Sequence, residues 1–241
     1  MEFEGKSVII TGAGKGIGRA TAILLAKRGA QVVGINRSRD TLETLREETG
    51  ARIVTADLAK PDEARAAMRE AGTCDYLINC AGTNVLETVL DLTDEGYETV
   101  IGINLRAALI CAQEFALARV AAGGGGVIVN VTSIAGHRGF PQHLCYAASK
   151  AGLEGATRVM ARELGPHGIR AVAVAPTITM TELAADAWSD PAKSEPMMQR
   201  HPTGRFAEPD EVARCIAMAM SDDAAMITGS VISVDGGFLA V

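Results

Sequence analysis

A single α/β domain, with helices on both faces of a doubly wound, seven-stranded parallel sheet, is the fold that this sequence predicts. Short runs rich in β-branched residues alternate with longer amphipathic segments along the whole chain. Such alternation is typical of parallel βαβ units joined by right-handed crossovers. The 241 residues, of which 48% are hydrophobic and 22% charged, suit one globular domain with an extensive core.

Each element follows from the local pattern of hydrophobic residues. Strands are expected at 7–11, 31–36, 52–56, 76–79, 126–132, 170–175 and 231–234. Helices are expected at 18–28, 40–48, 61–71, 94–120, 146–164 and 209–220. No repeat or linker divides the chain, so residues 1–241 are interpreted as one domain. A loop over about 177–208, between the last two strands, is the expected substrate segment.

A glycine-rich turn joins the first strand to the first helix. It has the pattern Thr-Gly-x-x-x-Gly-x-Gly and begins at Thr11, directly after a β-branched run. Strand, glycine turn and helix together indicate a dinucleotide-binding Rossmann fold, because glycines let the backbone approach a pyrophosphate at the helix N-terminus. Cofactor contacts are expected from Gly12, Gly14, Lys15, Gly16, Ile17 and Gly18.

A second motif is Tyr146-x-x-x-Lys150, with Ser133 upstream of it. Residues four apart lie on the same face of a helix, so the ammonium of Lys150 is expected near the phenol of Tyr146. A phenol ordinarily titrates near pH ~10 and is a poor acid or base at neutral pH. A neighbouring cation favours the ionised phenol, which makes Tyr146 a candidate general acid/base.

The end of the second strand indicates which dinucleotide binds. NAD enzymes usually place a carboxylate there, but this chain reads Asn36-Arg37-Ser38. The planar guanidinium of Arg37 and the hydroxyl of Ser38 suit a phosphate, and Lys15 supplies a second cation. NADP(H) is therefore the expected cofactor, and the alternative is that Arg37 and Lys15 are ordinary surface charges.

The two motifs together resemble the short-chain dehydrogenase/reductase family, and the resemblance covers essentially the whole chain. It implies that Tyr146 is the acid/base, that Lys150 assists it and holds the nicotinamide ribose, and that Ser133 positions the carbonyl. It implies that Asn104, in the preceding long helix, anchors a water relay. It also implies cofactor contacts at Asp57, Leu58, Asn79, Gly82, Thr179 and Thr181, and a homotetramer, since the family is commonly tetrameric.

One departure from the family pattern is Pro176-Thr177 where Pro-Gly is usual. This variant, with segments at 163–167, 188–191 and 204–208, resembles the members that reduce ketopentoses and vicinal diketones with NADPH. The resemblance implies that His143, as a hydrogen-bond donor, and Trp188, as part of a closing lid, join Ser133 and Tyr146 around the substrate.

Composition bounds the remaining possibilities. The net charge of −6 and the lack of any Lys/Arg block argue against a nucleic-acid partner. The apolar runs are shorter than a membrane span needs, and five scattered cysteines indicate reduced thiols in a cytoplasmic protein. No metal site is expected, because the four histidines show no ligand spacing.

Three alternative functions remain open. They are a 3-oxoacyl-carrier-protein reductase, another sugar-alcohol dehydrogenase and a non-catalytic NADPH-binding sensor.

Overall fold

A computed structural model of the chain describes residues 2–241, apart from the side chain of residue 183. One sheet of seven strands runs through it in the order β3-β2-β1-β4-β5-β6-β7, and every neighbouring pair is parallel. The predicted doubly wound sheet is confirmed. The strands are β1 (Ser7–Thr11), β2 (Gln31–Asn36), β3 (Arg52–Thr55), β4 (Tyr76–Asn79), β5 (Gly126–Val131), β6 (Ile169–Pro176) and β7 (Val231–Val234).

Helices cover both faces of this sheet. Alternate residues of one strand point to opposite sides, so Val8 and Ile10 join one core cluster and Ile9 joins the other. The helices are α1 (Gly16–Lys27), α2 (Arg39–Thr49), α3 (Pro61–Ala71), α4 (Asp94–Ile101), α5 (Ala108–Ala121), α6 (Leu144–Leu164), α7 (Glu182–Ala187), α8 (Pro191–Met198) and α9 (Pro209–Met220).

The long helix predicted at 94–120 contains an irregular segment. Gly102–Ala107 is π-helical and joins α4 to α5 without a break. Widened turns of this kind are rare and occur often at functional sites. The predicted site residue Asn104 lies within it.

The continuous helix Asp94–Ala121 has 28 residues and contains an 18-residue window with a mean hydropathy of 1.5, so by length and composition alone it meets the criteria for a membrane span. The sequence analysis did not anticipate this. Half of that apolar window is buried inside the fold, as in the core helix of a globular domain. Cys111 and Phe115, for example, are almost completely buried in the core cluster that also contains Ile9.

The segment expected to be a loop over 177–208 contains α7 and α8. Both helices are short, at 6 and 8 residues, and α8 carries Pro196 inside it. Thr181 begins α7 by accepting a hydrogen bond from the backbone N–H of Ala184, and Asp190 begins α8 in the same way with Ala192. We call residues 177–208 the lid segment.

Candidate active site

The glycine turn after β1 lies against two other parts of the chain. Gly12 has φ +70°, and a Cβ built on it would be 2.9 Å from the backbone of Ala81. Gly16 has φ +52°, and its Cβ would be 3.0 Å from the methyl group of Thr181. A Cβ on Gly18 would collide with the carbonyl oxygen of Gly12. The turn therefore requires glycine at these positions, and it brings predicted cofactor residues from β1 and from the lid segment together.

Thr11 ties this turn to the end of β4, a role that the sequence analysis missed. Its Oγ1 accepts hydrogen bonds from the backbone N–H groups of Cys80 at 3.0 Å and Ala81 at 3.1 Å. β1 lies between β2 and β4, so the strand order reverses here. Ligands of doubly wound sheets bind at this switch point, beyond the carboxyl ends of the strands.

The three residues expected to contact a 2′-phosphate are all exposed. Arg37 and Ser38 follow β2, and Lys15 lies in the glycine turn. Neither cation has an ion-pair partner within residues 2–241, whereas the neighbouring Arg19 and Arg39 pair with Glu48 and Glu43. Two uncompensated cations therefore lie on the segments where the cofactor prediction requires them.

The predicted adenine contacts follow β3. Asp57 uses one carboxylate oxygen to accept a hydrogen bond from the N–H of Ala59 at 3.1 Å, which fixes the turn. Leu58 is buried, with 7% of the residue exposed.

Asn79, expected as a cofactor contact, directs its side chain into the protein interior instead. Its Nδ2 donates to Asn130 Oδ1 at 2.9 Å and to the carbonyl of Ala108 at 3.2 Å, and only 3% of the residue is exposed. Asn130 in turn donates to Thr157 Oγ1 at 2.9 Å. This network joins β4 and β5 to the helices behind them, so the side-chain amide of Asn79 supports the sheet, and its contact with a cofactor stays a prediction.

Tyr146 and Lys150 share one face of α6, as their spacing predicts. Lys150 Nζ lies 5.5 Å from the centroid of the Tyr146 ring and donates to the carbonyl of Val131 at 2.9 Å. Lys150 is 4% exposed, so its charge is largely removed from water. A Cβ on Gly82 would lie 3.6 Å from Nζ and 3.5 Å from Asn104 Oδ1, which places these three residues around one point.

Asn104 is held by the segment that follows β4. Its Oδ1 accepts from the N–H of Thr83 at 2.8 Å, and its Nδ2 donates to the carbonyl of Thr83 at 2.9 Å and to Ser149 Oγ at 3.1 Å. The side chain is therefore engaged with protein groups. Asn104 lies in the π-helical segment and faces the residues after β4. A periodicity of 3.6 residues would not predict this direction.

Ser133 follows β5 and caps a short 3₁₀ turn by accepting a hydrogen bond from the N–H of Ala135 at 3.1 Å. Its hydroxyl proton remains available to a ligand. The 3₁₀ turn packs on α6, since a Cβ on Gly136 would be 3.2 Å from the backbone nitrogen of Ala151. Ser133 is thus held on the segment that contacts the helix carrying Tyr146 and Lys150.

His143 immediately precedes α6, and its ring lies edge-on to that of Tyr146 with the centroids 5.9 Å apart. Its Nδ1 is 2.7 Å from the carbonyl oxygen of Pro141. A carbonyl can only accept, so Nδ1 carries the proton and Nε2 of the neutral ring is an acceptor. The expectation that His143 donates to the substrate is therefore not met by the neutral ring.

The lid residues are placed as follows. Thr179 is buried and donates its hydroxyl hydrogen to the carbonyl of Thr177 at 2.9 Å. Trp188 packs on Phe206 with centroids 5.4 Å apart, and Lys193 Nζ lies 4.8 Å above its ring. Trp188 is thus held by contacts within the lid segment and is half-buried.

Two cysteines near the site are poor nucleophiles. Burial raises the pKa of the Cys80 thiol to about 11, against a smaller opposing effect of Lys150. Burial also raises the pKa of Cys145, and Glu87 adds to the effect. The reactive form is the thiolate, so both thiols are expected to react slowly at neutral pH.

A family model described as enoyl-(acyl carrier protein) reductase matches residues 12–239. The chain belongs to the short-chain dehydrogenase/reductase family and is an oxidoreductase of that family.

The chain is similar over its whole length to two sugar reductases and to a solved dehydrogenase structure. The L-xylulose reductase of Bos taurus is 43% identical over 241 residues, covering 100% of this chain and 99% of the relative. The D-erythrulose reductase of Gallus gallus is 44% identical over 240 residues, covering 99% and 98%. A crystal structure of a candidate NAD(P)-dependent gluconate 5-dehydrogenase from Beutenbergia cavernae, with bound NADP, superposes with a TM-score of 0.95 at 32% identity and covers all of both chains.

Proposed function

We propose that the chain is an NADPH-dependent carbonyl reductase that reduces a small ketose, with L-xylulose to xylitol as the leading candidate reaction. The arrangement of Tyr146, Lys150, Ser133 and Asn104 carries this proposal, with Lys150 and Asn104 next to Gly82. It provides a proton donor, a buried cation and a free hydroxyl at the carboxyl edge of the sheet.

The chemistry divides between the cofactor and the chain. When bound, the reduced nicotinamide supplies a hydride to the carbonyl carbon. Ser133 donates its hydroxyl hydrogen to the carbonyl oxygen, where negative charge develops. Tyr146 gives that oxygen its proton and completes the alcohol, and the ammonium of Lys150 stabilises the phenolate that remains.

The proton on Tyr146 is then replaced from solvent through Lys150 and a water at Asn104. The side chain of Asn104 is already bonded to Thr83 and Ser149, so we assign the water to its backbone carbonyl. The roles of these four residues rest on the family resemblance together with this geometry.

NADPH is favoured over NADH by the charges at the adenosine end. Arg37 and Lys15 are exposed and have no ion-pair partner within residues 2–241, and no carboxylate takes the position of Arg37 at the end of β2. A guanidinium binds phosphate in a bidentate manner, and Ser38 adds a hydroxyl. Gly12, Gly16 and Gly18 let the turn pack closely against Ala81, Thr181 and its own backbone. The N–H groups at the N-terminus of α1 then suit a pyrophosphate.

The substrate class follows from His143. An acceptor at Nε2 pairs with a hydroxyl group beside the reacting carbonyl, which a ketose has and a vicinal diketone lacks. Both curated relatives named above are reductases of such sugars. We therefore rank a ketopentose above a vicinal diketone, although the sequence resemblance alone gives both.

Two other functions are distinguished by experiment. One alternative function is that of a 3-oxoacyl-carrier-protein reductase, because the description of the matching family model names an acyl carrier protein. A sensor that binds NADPH without turnover would need no proton donor, and the Tyr146–Lys150 arrangement argues against it.

A substrate panel tests the proposal. With NADPH, we expect rapid oxidation of the cofactor in the presence of L-xylulose, slower oxidation with diacetyl and little with acetone. With L-xylulose, we expect little oxidation of NADH. Greater kcat/KM on a 3-oxoacyl thioester than on every sugar and dicarbonyl would move the assignment to the carrier-protein substrate. NADPH binding without oxidation of any of these substrates would favour the sensor.

We further propose a homotetramer in the cytoplasm. Helices α5 and α6 expose Leu117 (62%) and Val159 (54%), which suits burial against other subunits. In the C-terminal tail, Phe238 is buried against Phe140 of its own chain and so is not available to another subunit. All five cysteines are free, which is consistent with a reducing compartment.

A further inference from the structure

His201 joins the first residue of the lid segment to helix α8. Its Nε2 lies 2.7 Å from Thr177 Oγ1, at the first residue after β6, and its Nδ1 lies 2.9 Å from the carbonyl of Met197 in α8. Between Thr177 and His201 the chain makes its excursion through α7 and α8. One imidazole therefore connects the start of the excursion with its last helix.

The directions of these hydrogen bonds are fixed by their partners. The Met197 carbonyl can only accept, so Nδ1 carries the proton, and in the neutral ring Nε2 accepts from the hydroxyl of Thr177. Thr177 stands where the family usually has glycine. Glycine has no side chain, so this departure supplies the hydroxyl that His201 requires.

The contact is almost completely shielded from water. His201 is 2% exposed and Thr177 is 7% exposed. A buried polar group left without its partner is more costly than the net value of an ordinary hydrogen bond. The backbone of Thr177 is also held, since its N–H donates to Val234 at 3.1 Å and its carbonyl accepts from Thr179.

Within the lid segment, the ring of His201 packs on Phe206, which also contacts Trp188. Its centroid lies 5.6 Å from that of Phe206, and Phe206 lies 5.4 Å from Trp188. The position of the lid tryptophan therefore depends on the ring that binds Thr177.

On the other side, the same ring begins a row of contacts that reaches the acid/base. His201 lies 5.0 Å from Phe238, Phe238 5.8 Å from Phe140, and Phe140 6.1 Å from His143, which contacts Tyr146. This row of ring contacts connects His201 with the N-terminal end of α6, and close-packed side chains transmit strain.

We propose that His201 is a positioning residue for substrate: through Thr177 it fixes the lid segment over the reacting end of the site. It touches neither substrate nor cofactor in this assignment. The inference rests on the proposed carbonyl reduction for its kinetic consequence, whereas the anchoring of the lid by the Thr177–His201 hydrogen bond does not depend on any substrate.

Thr177 offers a matched pair of variants. Thr177→Val keeps the shape but removes the hydroxyl, and Thr177→Ser keeps the hydroxyl. With L-xylulose and NADPH, we expect Thr177→Val to raise KM for the sugar roughly three- to tenfold, with kcat and the Kd for NADPH within about twofold of wild type. Thr177→Ser should restore most of the wild-type KM.

His201→Leu and the Thr177→Val/His201→Leu double variant test the coupling. If the two residues act through one bond, the double variant should be little worse in KM than His201→Leu alone. Full additivity of the two single effects, or equal KM values for Thr177→Val and Thr177→Ser, would overturn the proposal.

Trp188 is the only tryptophan of the chain, so its fluorescence reports on the lid segment in the absence of substrate. We expect acrylamide to quench its fluorescence more strongly in Thr177→Val than in wild type or Thr177→Ser. Quenching that is identical in all three would refute the anchoring itself. A quenching difference without turnover of L-xylulose would instead locate the failure in the proposed function and leave the anchor standing.

Discussion

Lys150 Nζ lies 5.5 Å from the centroid of the Tyr146 ring while its ammonium group donates to the carbonyl of Val131 at 2.9 Å. The carbonyl holds the cation in place, so its charge acts on the phenol from a fixed distance. Lys150 is 4% exposed, and burial reduces the screening of its charge by water. The pair therefore has a stable geometry before any ligand binds.

Tyr146→Phe tests the acid/base role directly. The substitution keeps the ring contact with His143 but removes the transferable proton, and general acid catalysis typically contributes roughly 10²–10⁴-fold. We expect at least that loss in kcat, with the Kd for NADPH nearly unchanged by fluorescence titration. Retention of a substantial share of the wild-type rate would show that another group supplies the proton.

Much of the fold was predictable because it depends on local patterns. The seven strands and six long helices follow from apolar periodicity, and the parallel order follows from their alternation. The π-helical turn at Gly102–Ala107 was not predictable, because its sequence Gly-Ile-Asn-Leu-Arg-Ala has no feature that distinguishes it from α-helix. The short helices α7 and α8 were also missed, since 6 and 8 residues show too little periodicity and Pro196 counts against a helix.

The candidate site shows the same division. The spacing of Tyr146 and Lys150 is local and predicts their shared face. The inward direction of Asn79 depends on its bond to Asn130 in the next strand, and the bond of Thr177 to His201 spans 24 residues. Contacts of this kind arise from tertiary packing, which the sequence of one segment does not reveal.

Arg37→Asp tests the cofactor assignment. It removes a charge-assisted hydrogen bond worth roughly 1.5–3 kcal/mol and sets a carboxylate against the 2′-phosphate. At about 1.4 kcal/mol per decade, the ratio of kcat/KM for NADPH over NADH should fall at least tenfold. Arg39→Asp is the control, because Arg39 is exposed and already paired with Glu43. Equal ratios in wild type and Arg37→Asp would mean that Arg37 points away from the cofactor.

Leu117→Glu combined with Val159→Glu tests the proposed assembly. Charges on these exposed positions of α5 and α6 should dissociate a tetramer that buries them, because unpaired charges are costly in an interface. Light scattering should then give a smaller mass than wild type, while Met226→Glu, at an exposed position outside both helices, should not change it. A monomer mass for wild type at micromolar concentration would contradict the proposal.

Glu211→Gln should destabilise the protein in a pH-dependent way. The guanidinium of Arg205, which binds both carboxylate oxygens at 2.6 and 2.7 Å, and the N–H of Glu208 lower the pKa of Glu211 to about 2. Because the pKa is depressed in the folded state, the stabilisation is complete above the ordinary value and is lost as pH falls toward 2.

The pair is partly exposed, so we expect the free energy of unfolding to fall by no more than about 1 kcal/mol at pH 7. The difference from wild type should narrow between pH 5 and pH 3, as measured by urea denaturation. Glu70→Gln, at an exposed glutamate of α3, should show no such trend. A difference that stayed constant over this range would assign the effect to packing.

The orientation of His143 yields a prediction about substrate choice. Its Nδ1 donates to Pro141, so Nε2 of the neutral ring offers a lone pair beside Tyr146. A hydroxyl next to the reacting carbonyl can donate to that lone pair, whereas the second carbonyl of diacetyl cannot. Sites that hydrogen-bond a substrate group discriminate strongly against analogues that lack it.

We therefore expect higher kcat/KM for L-xylulose than for diacetyl, and higher for hydroxyacetone than for acetone. His143→Ala should reduce the preference for hydroxyacetone over acetone roughly tenfold. A hydrogen bond contributes about 1 kcal/mol net, and about 1.4 kcal/mol corresponds to a factor of ten. His143→Gln, whose carbonyl oxygen reaches about as far as Nε2, should keep part of the preference. A preference for diacetyl over hydroxyacetone that disappears in His143→Ala would show that the ring donates, and it would return vicinal diketones to the first place among the substrates.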